Sequence, residues 1–323
     1  MFQFLHSLFS SATRTEGFSE ALVASAIERA VEGTDPWIRA VSGYKKKLRP
    51  AVLRAIDHVG ALVDGISPPI GLEPASYASD PRLRNFFIST ADMCKVLDRD
   101  HNLAEFRREQ GGENLSRINA LLTMEKQEKA ILGAALSGNI IQRDVPQISV
   151  SFEDHRLLDP SESEKKTRRN LKRRAFDHLL SLALNRIAIV KTERGSLERY
   201  RTIIESRLNL QQRGGCGSNA LGAAPLEVAG MQEQLDRIDR QLLNLGRDDR
   251  MLEVYLDIVS DVLSRPEEHL WSEKETLIVD RMGIKRSKAA GDALSVTLDV
   301  VHNVEGRSLV VSLVTLTGRE DRK

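Results

Sequence analysis

Hydrophobic residues recur at three- and four-residue intervals through most of the first 140 positions, which is the spacing of helices with one buried face. A helical bundle is therefore expected as the first domain, residues 1–142. Its predicted helices cover 18–31, a stretch from Pro50 to Gly65, a stretch that begins at Asp80-Pro81, and 115–136.

The pattern changes to short apolar or alternating segments after this region, which indicates β-strands. These segments lie near 146–153, 276–281, 293–302 and 308–317. The last of them is apolar on both faces, so it is expected in the centre of a sheet. We predict a small, mostly antiparallel sheet as the framework of the second domain, residues 143–323.

Two long stretches between these strands carry apolar residues at alternating steps of four and three. One runs from Phe176 to Leu208 and the other from Met231 to Leu263. Each sustains this rhythm for more than four heptads, which is typical of a coiled coil. A glycine-rich connector separates the two, so we predict an antiparallel coiled-coil hairpin over 162–265 with a tip loop at 213–225.

The register of this hairpin is predicted by the positions that break its apolar seam. In an antiparallel pair, facing residues have a constant sum of residue numbers, and the apolar pairs give 442 or 443. Arg194 and Asp249 interrupt the two seams and also sum to 443. We therefore expect this pair to form one charged layer, with Gly195 and Gly246 beside it as the softest level of the hairpin.

Composition and charge exclude several classes of protein. Lysine plus arginine exceeds aspartate plus glutamate by only one, so no overall field attracts nucleic acid or an anionic membrane. The two cysteines cannot build a disulfide scaffold, and their spacing is not that of a zinc site. No apolar run is long enough to span a bilayer and no export signal is evident, so a cytoplasmic location is expected.

One basic segment stands out against this neutral background. Seven of its ten residues are basic: Lys165, Lys166, Arg168, Arg169, Lys172, Arg173 and Arg174. On a helix, several of them would share a face that matches a phosphate backbone. The same cluster also suits an acidic protein partner or a solvated helix face, and the sequence leaves these three interpretations open.

No motif in the chain indicates a family, a catalytic residue, a metal site or a cofactor. The expected fold is thus α-rich α+β, a helical bundle followed by a small sheet that bears a coiled-coil hairpin. Such a stalk favours a non-enzymatic scaffold subunit that holds protein partners in a multi-protein assembly. The alternatives are a nucleic-acid-associated protein that uses the basic helix, and an enzyme whose site is assembled from scattered residues.

Overall fold

The computed structural model describes residues 18–109, 117–137, 140–214, 225–246, 250–288 and 293–317. These residues divide into two compact units. Unit 1 contains 56–176 and the residues from 266 onward, whereas unit 2 contains the residues up to 55 and 177–265. The chain is a mixed helical and β-sheet protein with one antiparallel sheet and one long helix, as predicted. The division does not follow the predicted boundary at 142, because that position lies inside a strand of unit 1.

The described ranges contain nine α-helices and six β-strands. The α-helices are α1 (Glu20–Glu32), α2 (Tyr44–Asp64), α3 (Pro74–Ser79), α4 (Pro81–Phe86), α5 (Thr90–Arg99), α6 (His101–Glu109), α7 (Glu164–Gly214), α8 (Pro225–Leu245) and α9 (Met251–Ser264). The strands are β1 (Ile70–Gly71), β2 (Arg117–Ser137), β3 (Ile140–Ser161), β4 (Leu270–Val279), β5 (Leu294–Asn303) and β6 (Ser308–Thr317).

Unit 1 is organised around the sheet. The five longer strands pair antiparallel in the order β3-β2-β6-β5-β4, and β1 adds to β6 in parallel. The four strands predicted from the sequence are confirmed. β6 lies between β2 and β5 and is buried on both faces at Val310 and Val311, which confirms its predicted central position.

The helix predicted over 115–136 is wrong, because Arg117–Ser137 forms β2. Ile118, Ala120, Leu122 and Met124 point into the core of unit 1, which is the two-residue period of a strand. Leu121 and Thr123 are buried as well, so this part of β2 is covered on both faces, and the alternation is hard to see in the sequence. From Glu125 onward β2 pairs only with β3. Pairing in the sheet therefore outweighs the helix propensity of this segment.

Three irregularities bend β3 along β2. The pairing register shifts at three places, and each places one of the aspartates Asp144, Asp154 and Asp159 at a positive φ of 50–56°. Aspartate accepts this left-handed conformation more readily than most residues. Each site has the extra residue of a β-bulge, which increases the local twist and interrupts a regular strand edge.

The short helices α3 to α6 cover one face of the sheet in unit 1. Their buried residues Leu83, Phe87 and Leu97 join the inward-facing strand residues in one apolar core. Asp80 accepts a hydrogen bond from the Arg82 N–H, so the predicted N-cap of α4 is confirmed. The helix predicted to begin at Asp80-Pro81 ends at Phe86, and Ser89 caps the separate helix α5.

Unit 2 is helical within the described residues. The helix predicted over 18–31 is confirmed as α1, and its apolar residues Leu22, Val23, Ala26, Ile27 and Ala30 are all buried. α2 begins at Tyr44 rather than after Pro50, which lies inside it, so that predicted start is wrong. Leu48, two residues before the proline, is fully buried, and this packing outweighs the backbone hydrogen bond that the proline cannot donate.

The second long helix predicted for the hairpin is two helices. α8 ends at Leu245, and Gly246 follows with a φ of 118°. This conformation is accessible to glycine and strained for other residues. α9 starts at Met251, so the helical phase is not continuous through this break.

Candidate functional site

The basic segment forms the first turns of α7, within unit 1. Four of its seven cations are held by carboxylates in the same unit. The pairs are Lys166 with Glu162 (3.1 Å), Arg168 with Glu164 (2.7 Å), Lys172 with Asp64 (2.7 Å) and Arg174 with Asp159 (2.7 Å). Because these charges are already compensated, the segment presents less positive charge than its sequence suggests.

Arg168 also has a structural task. Its guanidinium donates to the carbonyl oxygens of Val63 (2.7 Å) and Ile66 (3.3 Å), at and just beyond the end of α2. The last carbonyls of a helix lack donors within the helix, and a cation there also suits the helix dipole. Lys165 and Arg173, by contrast, make no ion pair within the described part of the chain, so they are the freest cations of the segment.

The predicted charged layer is only partly described. Asp249 lies outside the described residues, so its pairing with Arg194 stays a prediction. Arg194 donates to the carbonyl oxygen of Gly246 (2.6 Å) and pairs with Glu198 (2.7 Å). The side chain is 14% exposed. Arg194 therefore caps the broken end of α8, whereas Gly195 lies in the uninterrupted helix α7.

α7 and α8 pack against one another along their apolar seams in unit 2. Ile204, Leu235 and Ile238 form a buried cluster to which Leu197, Met231 and Leu242 add. Arg201 pairs with Asp239 (2.8 Å), an acid that the sequence interpretation did not assign to it. Arg194 contacts Gly246, and Arg201, further along α7, contacts Asp239, which lies earlier in α8. The two helices therefore run in opposite directions here. Of the predicted tip loop, 215–224 lies outside the described residues.

A second apolar surface on α7 was missed by the sequence interpretation. Ile189, Ile203 and Leu210 fall on one heptad position, with Tyr200 beside it. Their exposed fractions are 57%, 48%, 71% and 51% in the order Ile189, Ile203, Leu210 and Tyr200. At about 100° per residue, these positions lie within about 80° of one another and roughly 100° from the buried seam. We call these four residues the outer stripe.

Two small polar residues along the outer stripe, Thr192 and Ser196, form their hydrogen bonds within α7. Thr192 donates to the carbonyl oxygen of Ala188 (2.8 Å), and Ser196 donates to that of Glu193 (2.7 Å). Their hydroxyl groups thus need no partner from outside the helix. Covering Thr192 and Ser196 would therefore leave neither hydroxyl group without a hydrogen bond, whereas the charged Arg207, which is exposed on the same face, would have to stay at the edge of such a contact. A second seven-residue repeat, displaced from the dominant seam, is the sequence signal that could have revealed the outer stripe.

One hydrogen-bonded chain joins three strands of unit 1. His302 on β5 contacts the Ser308 hydroxyl on β6 (2.7 Å) and the Glu273 carboxylate on β4 (2.9 Å), and its ring stacks on Trp271. Hydroxyl, imidazole and carboxylate are also the parts of a catalytic triad. Here, however, Ser308 and Glu273 are exposed on the sheet, so the chain is best explained as cross-strand pairing on a polar face.

A comparison with protein-family models, curated proteins and solved structures found no match. Among the helices of the described ranges, none is both long and apolar enough to cross a bilayer. The described histidines, cysteine and carboxylates also include no group of three that could hold a metal ion. The function therefore has to be argued from the surfaces of this chain alone.

Proposed function

We propose that this protein is a non-enzymatic interaction subunit of a multi-protein assembly, and that α7 and α8 form an antiparallel coiled-coil hairpin that presents a partner-binding surface. The outer stripe carries this proposal. α7 has one apolar seam against α8 and a second heptad-spaced set that stays exposed. A helix with two such faces is suited to pack against two other helices at once.

The partner expected on the outer stripe is a helix of another protein with its own apolar heptad positions. Fully burying a large aliphatic or aromatic side chain contributes about 1.5–3 kcal/mol. The four stripe residues are roughly half exposed or more, so covering them would supply much of the energy that a specific helix–helix contact requires. Leu243 on α8, which is 57% exposed, is a further apolar position on the same pair of helices.

We expect Ile203→Glu to weaken partner binding by about tenfold to a hundredfold, because the contact loses a buried aliphatic group and must desolvate a charge. The measurement is quantitative co-purification of tagged full-length chain from its native cells, followed by titration of the partner that depends on the stripe. Leu184→Glu is the matched control, since Leu184 is also exposed on α7 but lies outside the stripe.

Equal recovery of every partner by Ile203→Glu and the wild type would contradict the proposal. Circular dichroism of both variants checks that the helices remain intact. Sedimentation of the isolated chain separates a further outcome. Self-association that only Ile203→Glu abolishes would place a second copy of the chain on the stripe instead of another protein.

Nucleic-acid binding through the basic segment stays the first alternative. Lys165 and Arg173 make no ion pair in the described structure, so they can be changed without breaking the pairs around Arg168. If both contact phosphates, Lys165→Gln with Arg173→Gln should reduce the slope of log K against log salt on duplex DNA by about 1.8. Arg237→Gln with Arg240→Gln removes two exposed cations from α8 as the control. No binding by the wild type at low salt would end this alternative.

An enzyme with a scattered site and a cytoplasmic location both stay predictions. The domain boundary at 142 stays a prediction as well. No described arrangement favours the enzyme alternative. The hydrogen-bonded group of Ser308, His302 and Glu273, which resembles a catalytic triad, lies on the exposed face of the sheet.

A further inference from the structure

A cavity of about 350 Å³ lies within unit 1, and neither the basic segment nor the outer stripe contributes to it. It opens between α4, the middle of β3, the turn after β4 and the start of β5. The lining residues are Tyr77, Pro81, Arg84, Asn85, Ile88, Val150, Phe152, Val279, Asp280, Arg281, Gly283 and Leu294. They come from five separate parts of the chain, so no local spacing in the sequence indicates the cavity.

The floor of the cavity is apolar. Val150, Phe152 and Val279 belong to the core of unit 1 and are 3–9% exposed. Phe152 is fixed by an edge-to-face contact with Phe86 at 5.3 Å between ring centroids. The apolar surface continues to the rim, where Ile88 is 93% exposed and Leu294 is 41% exposed. An apolar group entering the cavity can thus contact hydrophobic side chains both in its interior and at its rim.

Two guanidinium groups line the same cavity without a carboxylate of their own. Arg84 and Arg281 make no ion pair or side-chain hydrogen bond within the part of the chain that the structure describes. The two nearby aspartates are held by other arginines, Asp80 by Arg82 (2.7 Å) and Asp280 by Arg286 (2.6 Å). The lining therefore keeps an excess of positive charge.

Asp80 and Asp280 are ionised, and their carboxylates are already bound by Arg82 and Arg286. Burial alone would raise the pKa of Asp280, but hydrogen bonds from the Ile284 N–H, the Arg286 guanidinium and the Met282 N–H hold that pKa below its usual value. Burial of Asp80 is likewise outweighed, first by its hydrogen bonds from Arg82 and then by the positive charges of Arg82 and Arg84, so its pKa is also lowered. Their acceptor oxygens serve these bonds rather than Arg84 or Arg281.

The turn that carries Arg281 is held against β3. The Val150 N–H donates to the carbonyl oxygen of Gly283 (2.8 Å), and the Lys285 N–H donates to that of Ile148 (2.8 Å). Gly283 has a φ of 75°, and a Cβ atom there would lie 2.9 Å from the carbonyl oxygen of Val150. Only glycine allows this close approach. The cavity wall is thus preorganised before any ligand arrives.

We propose that this cavity binds a small organic anion that has an apolar body and one carboxylate or phosphate head. The guanidiniums of Arg84 and Arg281 take the head through charge-assisted hydrogen bonds, with the Asn85 amide as a further donor at the rim. Val150, Phe152 and Val279 contact the body. The volume lies at the lower end of the range of about 300–1,000 Å³ for ligand pockets, so the ligand is smaller than most drug-sized molecules.

The test titrates the full-length chain with decanoate, decyl phosphate and decanol by calorimetry, each below its micelle-forming concentration. We expect at least one of the two anions to bind the wild type tenfold or more tightly than decanol does. Arg84→Gln with Arg281→Gln should remove that preference and weaken anion binding tenfold or more. The control is Arg307→Gln with Lys288→Gln, two exposed cations of unit 1 outside the lining, and it should bind as the wild type does.

A second variant tests the apolar body. Leu294→Ser changes a partly exposed residue of the rim and should weaken decanoate and decanol alike while leaving the preference for the anion intact. The inference is overturned if neither anion binds the wild type, if decanol binds as tightly as both anions, or if the double arginine variant binds like its control. The tighter of decanoate and decyl phosphate identifies the head group. Because the outer stripe is not altered, failure here leaves the proposed interaction function untouched.

Discussion

Leu122→Ala is expected to lower the free energy of unfolding of unit 1 by about 2–5 kcal/mol. Leu122 is fully buried in the core of unit 1, and its truncation leaves a cavity that the surrounding strands cannot close. Leu132→Ala, in the same strand, should change the stability by no more than about 0.5 kcal/mol, because Leu132 is 71% exposed. Urea unfolding followed by the fluorescence of Trp271 on β4 measures both, with Trp37→Phe as the common background.

Met124→Ala distinguishes strand from helix. Residues two apart point to the same face of a strand but to nearly opposite faces of a helix. Leu122 and Met124 are both fully buried in one core, so both truncations should be costly. If Met124→Ala is as harmless as Leu132→Ala while Leu122→Ala is not, residues 117–124 do not form the strand described here.

Strand β6 could be predicted from the local sequence, whereas strand β2 could not. Apolar and β-branched residues dominate Leu309–Leu316, so its strand character is a local property. The outer half of β2 is rich in glutamate, lysine, glutamine and alanine, which favour a helix. Its strand conformation comes from antiparallel pairing with β3, the next strand in the sequence. Pairing with β3 therefore determines the conformation of this segment, although its local propensity favours a helix.

The candidate sites divide in the same way. The seam of α7 was predictable because a heptad repeat is periodic, and the outer stripe could have been found by the same test applied to a second phase. The ion pairs of the basic segment were not predictable, since Asp64 and Asp159 approach it only through the fold. The cavity was hidden for that reason too. Arg84 and Arg281 are almost 200 residues apart in the sequence. They line the same cavity only because the turn after β4 pairs with β3.

Alanine substitution at the two glycines of the predicted charged layer should have opposite effects. Gly195 lies in the middle of α7, and apart from the neighbouring backbone of the helix itself no atom lies within 4 Å of where its Cβ would be. Gly195→Ala should therefore stabilise unit 2 by about 0.5–1 kcal/mol, since alanine loses less backbone entropy in a helix. Gly246 has a φ of 118°, and a Cβ there would lie 2.9 Å from a Val254 methyl carbon. Gly246→Ala should destabilise by about 1–3 kcal/mol.

Chemical denaturation followed by circular dichroism measures both substitutions, because the described part of unit 2 is helical. The opposite signs are the critical result, since each variant is the other's control for adding a methyl group to a glycine of unit 2. Destabilisation by both would mean that α7 also bends at Gly195, whereas stabilisation by both would mean that α8 continues through Gly246. In that second case Arg194, which now donates to the Gly246 carbonyl oxygen, would lose its acceptor to the helix. Arg194→Met should then cost little, whereas in the structure described here it leaves the end of α8 uncapped.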